Sequence, residues 1–355
     1  LVSVGRANVT ADIKGDLPTV DKKVQVGSTG KDVTDAKIGD TLTFTLTSTI
    51  PDMSAYNTYT FNFKDTLSKG LTFGQVEFVK VEGVTDPLTV GTDYTVTTPT
   101  ASDNTLAVAM KDFKAKQQAN AGKKITVTYT ATLNENAVVG GAGNVNSATI
   151  QYSNNPSTDG TGESEPSKVR VFTYGFTVDK YTGGSYDDTA TRLAGAEFTL
   201  APKNGDPMSF VKVKDGNATT NAVYRVAKAG ETATTTTITT PANGKVDFQG
   251  LKNGEYTLTE TKAPAGYNKL ASAIGVRVDG QNDGTDTTNA TVTITYDNNN
   301  GSDYDQTASN GVIPVHNKSG VTLPGTGGMG TIAFTVIGVL VIALGVAWTL
   351  KRKNA

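Results

Sequence analysis

The chain has 355 residues, a formal net charge of -2, one histidine, no cysteine, 38 glycines, 12 prolines and a hydrophobic share of 37%. Without cysteine there is no thiol nucleophile, disulfide scaffold or thiolate zinc site, and the single histidine, His316, cannot by itself build a metal cluster or relay. Its 32 Lys and Arg are spread along a nearly neutral chain with no basic footprint for nucleic acid, so composition points away from conventional catalysis and toward a structural or binding role.

At about 100–200 residues per domain, this length predicts two domains. Residues 1–16 form an N-terminal segment with no apolar run, so an export signal is expected to have been removed or to precede the chain. From residue 17 onward, runs such as 41–47 (TLTFTLT), 124–130 (KITVTYT) and 291–295 (TVTIT) alternate apolar residues with threonine, the period-two pattern of half-buried strands. Gly, Asn, Asp and Pro clusters separate these runs, and the fold class is therefore all-β, with two tandem immunoglobulin-like β-sandwich domains. Residues 153–166 (SNNPSTDGTGESEP) interrupt the alternation and read as a linker. This sets a first domain at 17–155, a linker at 156–169 and a second domain at 170–318, ahead of a C-terminal segment at 319–355. Within that segment, 331–350 is free of charge and long enough to cross a membrane as a helix, and Lys351-Arg352-Lys353 marks its cytoplasmic side.

Just before the span stands Leu323-Pro324-Gly325-Thr326-Gly327, and pentapeptide, span and basic tail in this order resemble the sorting signal of Gram-positive cell-surface proteins. The resemblance implies that a sortase cuts between Thr326 and Gly327 and joins the threonine carbonyl to an amine, so the membrane span is a transient hold. Residues 193–200 (LAGAEFTL) and 256–267 (YTLTETKAPAGY) look like the collagen-adhesin B-type domain, the second segment matching its E-box. Residues 18–24 (PTVDKKV), 39–46 (GDTLTFTL) and 146–154 (NSATIQYSN) are similar to the fimbrial isopeptide-forming domain. Together these segments resemble a backbone pilin of sortase-assembled Gram-positive pili. That resemblance implies a secreted protein of the cell wall and surface pilus, with a pilin-type or housekeeping sortase, other pilin subunits and peptidoglycan as partners, and no cofactor. Backbone pilins commonly present an acceptor lysine in a Tyr-Pro-Lys motif shortly before the Pro-Thr-Val segment. Here Lys14 holds that place behind Asp12-Ile13 and is the candidate intersubunit lysine.

Strand parity gives an independent reading, because residues two apart share a face. Val20, Lys22 and Val24 face one way, as do Phe61, Phe63 and Asp65, and so do Asn146, Ala148 and Ile150. The second domain repeats the design with Phe176, Val178 and Lys180, with Tyr256, Leu258 and Glu260, and with Ile313, Val315 and Asn317. Each domain thus aims a lysine, an acid and an asparagine at one core. Desolvation penalises the charged forms, and a neutral lysine amine can attack the asparagine carboxamide while the acid polarises the carbonyl and moves protons until ammonia leaves. The products would be Lys22–Asn146 and Lys180–Asn317 isopeptide bonds, with Asp65 and Glu260 as the catalytic acids. Each is a single turnover on the chain itself, which makes no enzyme. Buried lysine–carboxylate pairs bonded to asparagine also occur unreacted. Parity disfavours Lys23 as the nucleophile, whereas Asn144 shares the parity of Asn146 and stays open.

The other signals are weaker. Asp297, Asn299, Asp303 and Asp305 offer oxygens at alternating positions, but Ser302 stands where a calcium loop needs glycine and Ala308 where it needs glutamate, so no metal is assigned. His316 has the opposite parity to Asn317 and is expected to be exposed. The leading function is a shaft subunit polymerised head to tail. The alternative is a singly wall-anchored adhesin that binds a host or matrix ligand, and no constellation supports a surface hydrolase.

Overall fold

The computed structural model describes residues 17–281, 291–297 and 304–320. In chain order, its first strands are β1 (Asp21–Val26), β2 (Thr29–Lys31), β3 (Val33–Asp35), β4 (Thr41–Thr49), β5 (Phe61–Thr66) and β6 (Leu71–Val81). They are followed by β7 (Tyr94–Thr97), β8 (Thr105–Met110), the short helix α1 (Phe113–Gln117), β9 (Lys124–Leu133), β10 (Asn144–Ser153), β11 (Thr161–Glu163) and β12 (Ser167–Phe172). After Thr173 come β13 (Tyr174–Thr182), β14 (Thr191–Arg192), β15 (Glu197–Pro202), β16 (Phe210–Lys214), β17 (Ala222–Val226), β18 (Thr234–Thr235) and β19 (Ile238–Thr239). The last strands are β20 (Lys245–Leu251), β21 (Gly254–Lys262), β22 (Ile274–Gln281), β23 (Thr291–Tyr296), β24 (Gln306–Thr307) and β25 (Val312–His316).

Alternation explains these strands. In β9, Ile125, Val127, Tyr129, Ala131 and Leu133 are fully buried, while most of the threonines between them face outward. Outward threonines pair across strands, Thr41 with Thr132 and Thr47 with Thr126, each at 3.0 Å, contacts worth about 0.2–1 kcal/mol apiece. The first sandwich packs a sheet ordered β2-β1-β4-β9-β6 against one ordered β3-β12-β10-β5-β8-β7, with β11 on β10. The second packs β14-β13-β20-β17-β16-β18, with β25 beside β13, against β19-β15-β21-β22-β23-β24. Most pairs are antiparallel, but β25 runs parallel to β13, β17 parallel to β20 and β12 parallel to β3.

The stretch expected to be a linker is partly sheet. Strand β11 pairs with β10, and β12 lies between β3 and β10. Val169, Arg170, Val171 and Phe172 are all buried, so β12 carries no alternation to read, as befits a strand covered on both faces.

A single residue, Thr173, separates β12 from β13, and the junction is tightly bonded. The Thr173 hydroxyl donates to Leu251 O at 2.9 Å, Ile38 N donates to Gly250 O at 3.0 Å, and Asn253 N donates to the Asp35 carboxylate at 2.7 Å. Burial holds that carboxyl above its usual range despite the bond from Asn253. Lys228 and Glu135 form an ion pair across the same junction, and one hydrophobic cluster runs through both sandwiches. The apolar stretch at 331–350 lies outside the described residues, and among those no helix is long and apolar enough to cross a membrane.

Candidate functional site

Strand β1 turns Lys22 inward between Val20 and Val24, and its side chain is fully buried. Its amine is ion-paired to Asp65 on β5 and donates to the Tyr129 hydroxyl at 2.9 Å, with the rings of Phe44 and Tyr129 each 5.2 Å away. Tyr129 in turn donates to Asp65 Oδ2 at 2.6 Å and accepts from Asn146 Nδ2 at 2.6 Å. Lysine and tyrosine belong to one sheet, and acid and asparagine to the facing one, so the group bridges the core. Desolvation lowers the Lys22 amine to about 8 even though Asp65 acts in the opposite direction. Burial first, then the charge of Asp65, pushes the Tyr129 hydroxyl well above its ordinary value, so it stays protonated.

The second group is built differently. Lys180 on β13 is fully buried, donates to Val315 O at 3.0 Å and lies 3.5 Å from Glu260 Oε1. Asn317 follows β25, beside β13 in the same sheet, while Glu260 reaches in from β21 of the opposite sheet. Asn317 Nδ2 donates to Glu260 Oε2 at 3.0 Å and to Asn268 O at 2.6 Å, and Leu270 N donates to the same carboxylate oxygen at 2.8 Å. Desolvation lowers Lys180 to about 8, against the pull of Glu260.

The six residues expected from parity are thus brought together as two groups of three. In both, the asparagine carbonyl oxygen and one carboxylate oxygen are buried without a hydrogen-bond partner among the described residues: Asn146 Oδ1 with Asp65 Oδ1, and Asn317 Oδ1 with Glu260 Oε1. An unpaired buried acceptor costs about 1–3 kcal/mol, so each site stores unmet polar demand where an acid proton would be welcome.

The competing residues have other work. Asn144 is buried but committed, accepting from Val138 N at 2.9 Å and donating to Val138 O at 3.2 Å and Val171 O at 3.1 Å. Lys23 is half-exposed and paired with Asp32 at 2.6 Å. His316 is half-buried rather than exposed, because Tyr181 covers its ring with centroids 4.9 Å apart. Lys14, Thr326, Gly327, Asn299 and Asp303 lie outside the described residues, and among those no group of three acidic or histidine side chains could hold a metal. Sequence reasoning missed Tyr129. Its parity with Ile125 and Val127 pointed it inward, but nothing in the spacing revealed that its hydroxyl falls between lysine and asparagine.

Comparison with known proteins agrees with this architecture. The Gram-positive pilin backbone subunit 2 family, a Cna-B-like domain, matches residues 38–156. The SpaA prealbumin-like fold domain matches 184–294, and the LPXTG cell wall anchor motif matches 316–355. The chain is 26% identical to fimbrial subunit type 1 of Actinomyces viscosus, over 98% of its own length and 66% of that protein's. To the trypsin-resistant surface T6 protein of Streptococcus pyogenes serotype M6 it is 25% identical, over 98% of its own length and 71% of the relative's. It therefore spans about two thirds of the length of these curated relatives. Among solved structures, the 35 kDa C-terminal fragment of the major pilin GBS80 of Streptococcus agalactiae matches with a TM-score of 0.58 and 25% identity, over 85% of this chain and 100% of the fragment. Two all-β units of the pilin type followed by a cell wall anchor motif place this chain among the backbone subunits of Gram-positive surface pili, which are structural proteins and not enzymes.

Proposed function

We propose that the chain is the repeating shaft subunit of a covalent pilus, locked internally by Lys22–Asn146 and Lys180–Asn317 amides and joined to its neighbours through Thr326. The observation that carries this reading is the recurrence, in two differently built cores, of a fully buried lysine beside an acid and an asparagine whose carbonyl oxygen has no partner among the described residues. Moving the lysine proton to the paired carboxyl gives a neutral amine and a neutral acid, the combination that a dry core favours. The amine nitrogen then attacks the asparagine Cγ, the Cγ–Nδ2 bond breaks and ammonia leaves. The fold supplies the orientation, and effective molarities of roughly 10⁵–10⁸ M offset the intrinsic slowness of amide exchange.

At the C-terminus, the span at 331–350 holds the chain at the membrane until a sortase cuts between Thr326 and Gly327. Lys14, ahead of the first strand, is the amine that receives the threonine of the next subunit, and peptidoglycan receives the last one. The full chain, produced in a host without sortase, should weigh about 34 Da less than its sequence mass, two ammonia molecules at ~17 Da each. Glu260→Ala should halve that deficit, whereas an unshifted mass would refute both cross-links. In the native host, boiled wall extract should give a ladder that Lys14→Ala collapses to monomer. A single band from unmutated cells would mean that the chain is anchored singly.

A further inference from the structure

We propose that the Tyr129 hydroxyl is a catalytic proton relay for the Lys22–Asn146 bond. The inference rests on the reading that these two residues condense. Tyr129 Oη touches both reacting nitrogens, Lys22 Nζ at 2.9 Å and Asn146 Nδ2 at 2.6 Å, and it also donates to Asp65 Oδ2 at 2.6 Å. It is the atom through which acid and leaving amide are connected, since Asn146 Nδ2 bonds to the hydroxyl, whereas Asn317 Nδ2 bonds to Glu260 directly at 3.0 Å. Aspartate is one methylene shorter than glutamate, and the hydroxyl supplies the missing reach.

The steps balance without any outside reagent. Once the lysine proton sits on Asp65, the Tyr129 proton no longer has a carboxylate to bond and can turn toward Nδ2. Nζ attacks Cγ, the proton that the attacking nitrogen must shed passes to Oη, and the proton of Oη passes to Nδ2. The Cγ–Nδ2 bond breaks, ammonia leaves, and Tyr129 ends as it began. Burial keeps the phenol protonated, so it accepts and donates in one motion and does not serve as a phenolate base. Its ring stacks on Phe44 with centroids 5.3 Å apart, which holds the hydroxyl in place.

In the full chain, Tyr129→Phe should lose one ammonia instead of two. Lys180–Asn317 should form as before, and Lys22–Asn146 should form at least ~100-fold more slowly, the usual scale of a lost acid–base group. A mass deficit that reaches both ammonia units at the wild-type rate in Tyr129→Phe would overturn the relay and leave the cross-link standing. Absence of the first cross-link from the unmutated chain would instead refute the condensation itself. Should Tyr129→Phe fail to fold, as judged by loss of the second cross-link too, a fluorotyrosine placed at 129 decides. It preserves the packing and changes only the hydroxyl's acidity, so a several-fold change in the rate of the first cross-link supports the relay and an unchanged rate overturns it.

Discussion

Lys22 and Lys180 reach their neutral form near pH 8 rather than at the ordinary lysine value of 10.5, because burial opposes charge more strongly than the neighbouring carboxylate supports it. The reacting state, a neutral amine beside a protonated acid, shares one proton with the ion pair, so the rate of ammonia loss from freshly synthesised protein should hold steady below about 8 and fall above it as that proton is lost. A rate that climbs tenfold per pH unit up to pH 10 would mean that the amines keep ordinary lysine behaviour and react without the acid's proton. The same logic separates Asn144 from Asn146. Asn144→Ala removes a side chain bonded to Val138 and Val171 and should cost about 1–3 kcal/mol of stability, read by thermal melting. It should leave both ammonia losses intact, and disappearance of the first would make Asn144 the reacting amide.

Individual strands were legible wherever one face meets the core. Period-two alternation put Lys22, Asp65, Asn146, Lys180, Glu260 and Asn317 inward, and each is buried. Alternation carries no information where a strand is covered on both sides, which is why β12, a strand of the first sandwich, was divided between the expected linker at 156–169 and the second domain. It also misleads at Asp179, which parity sends outward yet which is fully buried beneath Arg192 and Tyr186. Nor can parity say which side chains meet across the gap between sheets, and Tyr129 escaped notice for that reason. The junction makes a prediction at this scale. Gly250 has φ +84°, and a Cβ there would stand 2.6 Å from Ile38 Cδ1. Gly250→Ala should therefore cost about 1–3 kcal/mol in strain and crowding and lower the melting temperature by several degrees. An unchanged melting temperature would show that the contact between β20 and Ile38 is soft.

In the whole molecule, the chain enters at one pole and leaves at the other. Strand β12 runs from Ser167, whose hydroxyl accepts from Lys22 N at 2.9 Å, to Phe172 at the junction, so the start of β1 lies at the end remote from the second sandwich. Strand β13 runs on from the junction, and β25 runs parallel to it. Pulled by its ends with both amides closed, the chain should extend little. Asn146→Ala should add on the order of 40 nm, roughly 120 freed residues at ~3.5 Å each, and a force trace without that gain would refute the first cross-link. Once both amides are closed, the backbone between Lys22 and Asn146 and that between Lys180 and Asn317 are closed rings hung on the fibre. A protease that nicks either ring leaves the filament continuous, as the surviving amide still joins the two sides of the cut. Only a cut between Asn146 and Lys180, or in the terminal tails, severs it. Most of that interval is sheet, and its longest exposed run, where such a cut falls most easily, is the loop at 154–159, whose six residues are all exposed.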